Sequence, residues 1–450
     1  MSGLHPPAPG TTAVALVDGE HYPMAVADVL RGLQERGWSI PCVALLGGTE
    51  KLRGEPDYGI PHVTGDGAVD AVRQALAAHD VECVLDLADE PVLVFEQRAR
   101  VIAFVAGRGV RYVGADTVVT PPLYEAVSVP SLAVIGTGKR IGKTAVSAHV
   151  ARVADRALGG DGDVVVVAMG RGGPAEPVVV DRAAGPIGVE RLLELSRGGA
   201  HAASDYLEDA ALTGLTTIGC RRVGGGLLGV PAQSNVPEGA RIAEGIGAAL
   251  TIFEGSGSSL PPVITDRTLL LAAASRPQDL LDGFGPYRLE RADMLLVVGD
   301  DIEAAARMCA AARELRPGLH ARAASLRPVP VSPVRGLRVA GFTTAPAVIG
   351  PILEMALLKA GAAAVPVIST ALARRDELRA DVDRALEAGC DCFAVEIKAA
   401  AIDVVAEAAA RHGIDVVWVD NRPVTHDARV DLDEEFATLA LAAAGRGQPG

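Results

Sequence analysis

Short apolar runs alternate with helical patterns along the N-terminal quarter of the chain. Apolar runs at 12–17, 42–46, 84–87 and 110–113 are typical of buried strands, and the stretches between them place apolar residues at helical spacing. Strands that alternate with helices predict a parallel sheet wound by right-handed crossovers. We therefore predict a Rossmann-like α/β domain over residues 1–128. No Gly-x-Gly-x-x-Gly sequence follows its first strand, so dinucleotide binding is not predicted.

The same alternation continues to the C-terminus. Further strands are predicted at 132–135, 163–168, 248–253, 294–298, 337–342, 364–368, 392–397 and 415–419. Residues 317–336 are rich in Pro and Arg and are predicted to be a connecting segment, and 219–229 a charged, Gly-rich loop. We place a central domain at 129–345 and a C-terminal α/β part at 346–450. That part either extends the central sheet or forms a layer of its own.

The most specific motif lies where the central domain begins. The predicted strand at 132–135 enters the sequence Gly-Thr-Gly-Lys-Arg-Ile-Gly-Lys-Thr, and a helix follows. This is the layout of a P-loop, in which backbone N–H groups and a helix N-terminus surround phosphate oxygens. The strict pattern has Gly where this chain has Thr137. We predict that the nucleotide is bound by Gly136, Thr137, Gly138, Arg140, Gly142, Lys143 and Thr144, with Lys143 on the β/γ-phosphates and Thr144 on Mg²⁺.

The lysine content supports this assignment. The chain has five Lys, at positions 51, 139, 143, 359 and 398, among 42 Lys and Arg, and two of the five lie in the loop. Where Arg supplies nearly all positive charge, a retained Lys indicates that a compact point charge is needed. A chance Gly-Lys-Thr before a helix is the alternative.

Charged residues follow two other predicted strands of the central domain, and two more lie in its Gly-rich loop at 219–229. Ligands bind at the carboxyl edge of parallel sheets, so these residues are candidates for the site. Glu254 is the candidate Mg²⁺ ligand. Arg171, between glycines, is predicted to reach phosphates, with a structural salt bridge as the alternative. Arg221 and Arg222, before a triple glycine, are predicted to clamp a polyanionic substrate, with incidental surface charge as the alternative.

The first predicted strand also ends in polar residues, Asp18, Glu20 and His21. Because they lie at the carboxyl edge of the N-terminal sheet, they are candidates for substrate binding. The alternative is that Asp18 caps the helix that follows.

Composition excludes several classes of protein. The chain has 450 residues and a formal net charge of −14, which argues against nucleic-acid binding because that needs a basic face. No apolar run approaches the length of a membrane span, and the N-terminus lacks a signal segment. The six Cys are scattered without metal-ligand spacing, which favours reduced thiols. We predict a soluble, cytoplasmic enzyme that binds neither nucleic acid nor membrane and forms a homodimer.

Several motifs together resemble one family. The loop and the Phe-Glu-Gly-Ser-Gly-Ser segment resemble the P-loop and the Glu-Gly-Ala-Gly-Gly segment of dethiobiotin synthetase. With Val-Asp-Gly-Glu-His-Tyr-Pro and Met-Gly-Arg-Gly-Gly-Pro, they are similar to the cyclic 2,3-diphosphoglycerate synthetase family over most of the chain. The resemblance implies a P-loop NTPase-like ligase that uses ATP and Mg²⁺ to join two phosphates of a small phosphorylated acid. Lys143, Lys139 and Arg171 would then be catalytic.

Two other functions remain open at this point. A related enzyme, such as 2-phosphoglycerate kinase or a carboxylate-activating synthetase, would act on another acid. A partitioning-type ATPase switch places its signature Lys where this chain has Gly138, with Lys139 one position later. Turnover that appears only on adding a phosphorylated acid separates enzyme from switch.

Overall fold

The alternating runs form two α/β units in the computed structural model, which describes residues 4, 6–52, 54–185, 187–198, 204–345, 347–398 and 401–445. The first unit comprises Met1–Leu123, Arg276–Ala292 and Ala311–Gly318, and the second comprises Tyr124–Ser275, Asp293–Ala310 and Leu319–Gly450. All six cysteines lie in the described residues; they are buried, and none forms a disulfide bond. In the part of the chain that the structure describes, no helix is long and apolar enough to span a membrane.

The N-terminal region forms a six-stranded sheet. Its elements are β1 (Thr12–Val17), α1 (Pro23–Glu35), β2 (Ser39–Leu45), β3 (His62–Val63), α2 (Ala68–Ala78), β4 (Cys83–Asp86), α3 (Phe95–Gly107), β5 (Arg111–Val113) and β6 (Val118–Val119). The strand order is β3-β2-β1-β4-β5-β6, parallel except for β6. Val14 and Leu16 of β1 are fully buried. The fully apolar run of β1 therefore takes a central place, as parallel strands covered on both faces require.

The central region contributes most of a second, 13-stranded sheet. Its elements are β7 (Ser131–Gly136), α4 (Lys143–Leu158), β8 (Val164–Gly170), β9 (Val178–Val180), α5 (Val189–Arg197), α6 (Asp205–Thr213), β10 (Thr217–Val223), β11 (Gln233–Ser234), α7 (Val236–Ile246), β12 (Leu250–Glu254), β13 (Arg267–Ala273), α8 (Gln278–Leu281), α9 (Pro286–Arg291), β14 (Met294–Val298), α10 (Ile302–Leu315) and β15 (His320–Pro330). The strands β10-β8-β12-β7-β13-β14-β15 are adjacent and parallel. The P-loop strand β7 thus lies between β12 and β13, with neighbours on both sides to build a site.

The C-terminal region extends this sheet. Its elements are β16 (Arg338–Phe342), α11 (Gly350–Lys359), β17 (Ala364–Ser369), α12 (Arg375–Glu387), β18 (Cys392–Val395), α13 (Glu407–His412), β19 (Asp415–Thr425) and α14 (Leu432–Ala443). The first part of β19 pairs in parallel with β18, and its last part pairs antiparallel with β15. Of the two alternatives that the sequence left open, the structure therefore shows the extended sheet. The predicted α/β class with mostly parallel strands is confirmed.

Two predicted connections are strands. The predicted connecting segment at 317–336 contains the eleven-residue β15, and the predicted loop at 219–229 begins within β10. Proline weakens strand propensity, but β15 pairs with β14 on one side and with β19 on the other. Pairing with distant segments thus overrides the local composition. The strand β13 is not among the predicted strands, although its Leu-Leu-Leu run carries the signal.

Candidate active site

The predicted P-loop has the backbone that its glycines require. Gly142 precedes α4 with φ of 79°, and Arg140 has φ of 58°, a conformation costly for a residue with a side chain. A Cβ placed on Gly142 would lie 2.1 Å from Cδ1 of Leu326. Glycine is favoured there because of the positive φ, and a Cβ would also require the Leu326 side chain of β15 to move.

Thr137 stands where the strict motif has glycine. Its backbone N–H donates to the Leu271 carbonyl of β13 at 3.0 Å, and the residue is buried. Within the described ranges, its hydroxyl has no hydrogen-bond partner. A buried hydroxyl without a partner costs free energy. Thr137 therefore offers an unused polar atom at the entrance to the loop.

The structure brings together Lys143 and Glu254, predicted to serve nucleotide and metal. Lys143 opens α4, and Glu254 ends β12, the strand beside β7. Nζ of Lys143 lies 3.4 Å from Oε1 of Glu254 and donates to the carbonyl of Gly255. Glu254 is 2% exposed. A buried carboxylate is thus held directly beside the lysine of the loop.

Asp209 is a member of this group that the sequence analysis missed. It lies on α6, is fully buried, and is an electrostatic neighbour of Glu254. No N–H or hydroxyl among the described residues donates to either Asp209 oxygen or to Oε2 of Glu254. Burial raises the pKa of Asp209 well above its ordinary value, and the charge of Glu254 raises it further. The raised pKa favours the protonated form of Asp209 beside Glu254.

A signal for Asp209 does exist in the sequence. Helix α6 has the sequence Asp-Tyr-Leu-Glu-Asp-Ala-Ala-Leu-Thr, with Leu207, Ala210 and Leu212 buried. Asp209 falls among these apolar positions rather than opposite to them. An acid on the buried face of an amphipathic helix needs a partner or a proton, and this rule identifies it as a candidate site residue.

The donor set fits Mg²⁺. This cation prefers oxygen ligands and takes only one or two carboxylates when phosphate oxygens and water complete its shell. Glu254 offers a buried oxygen without a donor, and the Thr144 hydroxyl is predicted as the second protein ligand. Among the described residues, no group of three or more His, Cys, Asp or Glu is placed to hold a metal. The residues therefore suit a cation shared with phosphates rather than one enclosed by protein.

Three predicted anion-binding residues meet around Gly257, which has φ of 61°. A Cβ placed on Gly257 would lie 3.2 Å from Nη2 of Arg171, 3.4 Å from Cγ of Lys139 and 3.8 Å from Nη2 of Arg222. We call Lys139, Arg171 and Arg222 the anion cluster. It draws one residue from the P-loop and one each from β10 and from the loop after β8. Residues far apart in sequence thus converge on one glycine turn.

Arg222 is the most constrained member of the anion cluster. It is 6% exposed and donates to the carbonyls of Gly224 at 2.7 Å and Ser256 at 3.0 Å. Burial lowers the pKa of Arg222, and the positive charge of Arg171 lowers it further. Cations crowded in this way repel each other, and a polyanion relieves that repulsion. The arrangement is suited to charge-assisted binding of phosphate.

Arg221 is placed differently from Arg222. Successive strand residues point to opposite faces, and the two arginines are neighbours on β10. The Arg221 backbone bonds to Asn235 Oδ1 at 2.7 Å and Ser234 Oγ at 2.9 Å. Across the described residues, its guanidinium has neither a hydrogen bond nor an ion pair. The structure therefore does not bring Arg221 into the anion cluster, and its substrate contact stays a prediction.

At the N-terminal sheet edge, Asp18 organises its own loop. Its buried carboxylate accepts hydrogen bonds from the backbone of Glu20 at 2.9 Å, His21 at 3.1 Å and Asp89 at 2.7 Å, and from Nδ1 of His21 at 2.8 Å. Burial acts to raise the pKa of Asp18, but these bonds outweigh it and lower the pKa. Tyr22, not Asp18, precedes α1, and no side chain caps that helix. The predicted capping role is therefore not observed.

The comparisons with known proteins agree with each other. Family models described as the N-terminal, P-loop and C-terminal domains of cyclic 2,3-diphosphoglycerate synthetase match residues 12–120, 131–310 and 330–422. Among the relatives named cyclic 2,3-diphosphoglycerate synthetase, the protein of Rubrobacter xylanophilus is 44% identical over 97% of this chain and 98% of its own length. The protein of Thermococcus kodakarensis is 38% identical over 96% of this chain and 99% of its own length. The relative of the same name from Methanothermus fervidus is 37% identical over 95% of this chain and 94% of its own length. The family resemblance predicted from the motifs is confirmed.

A solved structure of LpxK from Aquifex aeolicus in complex with ATP is also similar. It covers 71% of this chain and 90% of that chain, with 13% identity and a TM-score of 0.41. A likeness of this degree carries no argument here. The P-loop NTPase-like fold rests on the family model for the P-loop domain and on the strand–loop–helix geometry above.

Proposed function

The chain belongs to the cyclic 2,3-diphosphoglycerate synthetase family, an enzyme family, and on this premise we propose that it is an ATP- and Mg²⁺-dependent synthetase acting on 2,3-diphosphoglycerate. The enzyme joins the two phosphates of the substrate into an intramolecular anhydride. The other products are ADP and inorganic phosphate.

One observation carries the proposal. The turn at 254–257 is contacted from one side by Lys143 of the P-loop and from another by the anion cluster. Joining two phosphates with ATP brings three anionic groups together, and phosphoryl transfer depends mainly on positioning and charge compensation. Cations for the nucleotide and cations for the substrate are both available at this turn.

The residues divide into two sets by their neighbours. Lys143 and the loop backbone bind the β- and γ-phosphates, while Thr144 and Glu254 hold Mg²⁺ and Asp209 orients Glu254 by donating to it. When bound, Mg²⁺ neutralises negative charge on the phosphate oxygens. Arg171, Arg222 and Arg221 bind the substrate phosphates, and Lys139 stabilises the group being transferred. Asp18, Glu20 and His21 remain predicted substrate contacts.

The reaction proceeds in two displacements. The γ-phosphoryl group is first transferred to one substrate phosphate, which releases ADP and leaves a phosphoanhydride. An oxygen of the second substrate phosphate then attacks the phosphorus of the first, and inorganic phosphate leaves. The anion cluster holds both substrate phosphates close enough for this attack, which replaces an encounter in solution by a positioned contact.

A coupled assay of ADP release tests the proposal. The protein is given ATP and Mg²⁺ with 2,3-diphosphoglycerate, 2-phosphoglycerate or 3-phosphoglycerate, and phosphorus NMR identifies the product. We expect turnover and a cyclic product with 2,3-diphosphoglycerate. Turnover only with another acid would identify a related kinase or synthetase. ATP hydrolysis at the same rate with or without any of the acids would indicate a partitioning-type ATPase switch. The homodimer and the cytoplasmic location stay predictions.

A further inference from the structure

Lys398 is a lysine that the mechanism above does not use. It follows β18 in the C-terminal region, and its Nζ lies 2.8 Å and 2.9 Å from the two carboxylate oxygens of Glu208 on α6. The Lys398 side chain is 43% exposed, whereas that of Glu208 is 13% exposed. A partly exposed amine is thus held against the helix that also carries Asp209.

Asp205 connects Lys398 with the anion cluster. Asp205 and Glu208 are three positions apart on α6 and therefore lie on one face of it. Oδ2 of Asp205 lies 3.3 Å from a Cβ placed on Gly170, the residue before Arg171. The charge of Asp205 raises the pKa of Arg222 and also that of Lys398. One carboxylate is therefore an electrostatic neighbour of both, and helix α6 links Lys398, through Glu208 and Asp205, to the segment that carries Arg171.

Glu396, one of the acids near Lys398, is already compensated by other donors. Glu396 accepts hydrogen bonds from Thr343 Oγ1, the backbone and hydroxyl of Thr344, and Nδ2 of Asn421. Burial acts to lower the pKa of Lys398, but Glu208, Glu396 and Asp205 outweigh it and raise the pKa, so the amine is charged. Burial raises the pKa of Glu208. If the amine moves to another anion, Glu208 can take up a proton instead of remaining as a repelling charge.

We infer that Lys398 is a further substrate-binding residue, which holds the carboxylate of the phosphorylated acid. This rests on the proposed function. The substrate carries three anionic groups, two phosphates and a carboxylate, and the anion cluster around Gly257 is assigned to the two phosphates. Lysine suits the task because its compact charge and rotatable donors can exchange partners, whereas Arg favours a fixed fork. The ion pair with Glu208 keeps the amine at the site.

The competing explanation is a structural link between α6 and the C-terminal region. The chain contains such a link elsewhere: Nε and Nη2 of Arg197 on α5 lie 2.7 Å and 2.9 Å from the carboxylate of Glu407 on α13. Arg197→Met is therefore a matched control, since it removes an ion pair between the same two regions without touching the acids around Lys398. Glu208→Gln is the second control, because it removes the ion pair but leaves the amine.

The experiment measures ADP release with 2,3-diphosphoglycerate and ATP varied in turn, together with the unfolding temperature. Lys398→Met is expected to lower kcat/KM for 2,3-diphosphoglycerate about tenfold to a hundredfold, mainly through KM, because a charge-assisted contact is lost. The KM for ATP should stay within about twofold of the parent value. Glu208→Gln should keep or lower the KM for the acid, because it frees the amine. If Lys398→Met does not fold, Lys398→Gln, which can still donate to Glu208, should show the same rise in KM.

Three results would overturn the assignment. An unchanged KM for the acid in the Lys398 variants would show that Lys398 does not contact the substrate. A structural link would be indicated if Lys398→Met and Glu208→Gln lower kcat/KM for the acid equally. In that case both variants, and Arg197→Met as well, should also have lower unfolding temperatures than the parent. A parent protein that forms no product overturns the proposed function and this assignment with it, whereas an active parent beside an unaffected Lys398→Met overturns this assignment alone.

Discussion

The two sheets use charged residues at their carboxyl edges in opposite ways. At the N-terminal edge, the carboxylates of Asp18 and Asp86 are fully engaged in hydrogen bonds from the protein. Asp18 receives four hydrogen bonds, and Asp86 accepts from Nε of Arg98 at 2.8 Å, the backbone of Ala88 at 3.0 Å and the hydroxyl of Tyr112. At the P-loop edge the anion cluster brings like charges together, and within the described residues Asp209 receives no bond from an N–H or hydroxyl.

This difference separates structural charge from functional charge. Buried polar groups are normally satisfied, so an edge that satisfies its own acids needs no ligand to be stable. An edge that crowds cations and leaves carboxylate oxygens without donors loses stability, which a bound polyanion and cation would restore. Position at a sheet edge is therefore weak evidence for function until the bonding of each side chain is known.

The largest effect is expected for Lys143→Ala. Loss of a donor to developing phosphoryl charge costs on the order of 10²–10³ in rate, by analogy with oxyanion-hole donors. The fold should persist, because Lys143 contributes only two partly buried contacts, one to Glu254 and one to the carbonyl of Gly255. Single-turnover ADP formation and circular dichroism check both statements. A folded variant with near-normal turnover would contradict the P-loop assignment.

Arg222→Ala compared with Arg221→Ala tests the anion cluster directly. We expect Arg222→Ala to lower kcat/KM for the phosphorylated acid by about one to two decades, because it removes a charge-assisted bond. Arg221→Ala should have a smaller effect, since Arg221 is not among the residues around Gly257. Nucleotide affinity, measured by calorimetry, should change little in both. Equal losses in the two variants would show that Arg221 binds substrate as the sequence predicts.

At the N-terminal edge, Asp18→Ala should reduce stability rather than turnover. It leaves the backbone N–H groups of Glu20, His21 and Asp89 without their acceptor, which costs about 1–3 kcal/mol for each group that remains buried. Urea unfolding measures the loss. Asp28→Ala, which removes an exposed ion pair with Arg31, is the control and should cost about 1 kcal/mol or less. A raised KM for the acid at unchanged stability would instead support substrate binding by Asp18.

The smallest effect concerns His149 on the P-loop helix α4. This buried ring bonds to Asp433 at 2.6 Å, and burial lowers its pKa in spite of that partner. His149 therefore binds a proton more readily in the unfolded state than in the folded state. Its contribution to the free energy of unfolding is present above the ordinary pKa of 6.5 and is lost as the pH falls. Unfolding free energies between pH 7.5 and 5.5 should therefore fall more steeply in the parent than in His149→Gln. The same pH dependence of the unfolding free energy in the parent and in His149→Gln would show that the pKa of His149 is not lowered in the folded state.

The sequence by itself determined the parts whose signal is local. Glycine and lysine spacing within nine residues defines the P-loop, and the apolar runs define most strands, because side-chain periodicity depends only on neighbours in the chain. The same local evidence placed Arg171 and Lys139 after predicted strands and Arg222 in a Gly-rich loop, but it also placed Asp18 at a strand end as a candidate for substrate binding.

Only the tertiary structure decided which of these residues meet. The convergence of the anion cluster on Gly257, the pairing of Asp209 with Glu254 and the contact of Lys398 with Glu208 all join segments distant in sequence. Likewise, the C-terminal region joins the central sheet because β19 pairs with β15, although proline-rich composition predicts a connection there. Periodicity specifies which face of a strand is buried, but it carries no information about the partner strand. Partner choice depends on the packing of the whole sheet.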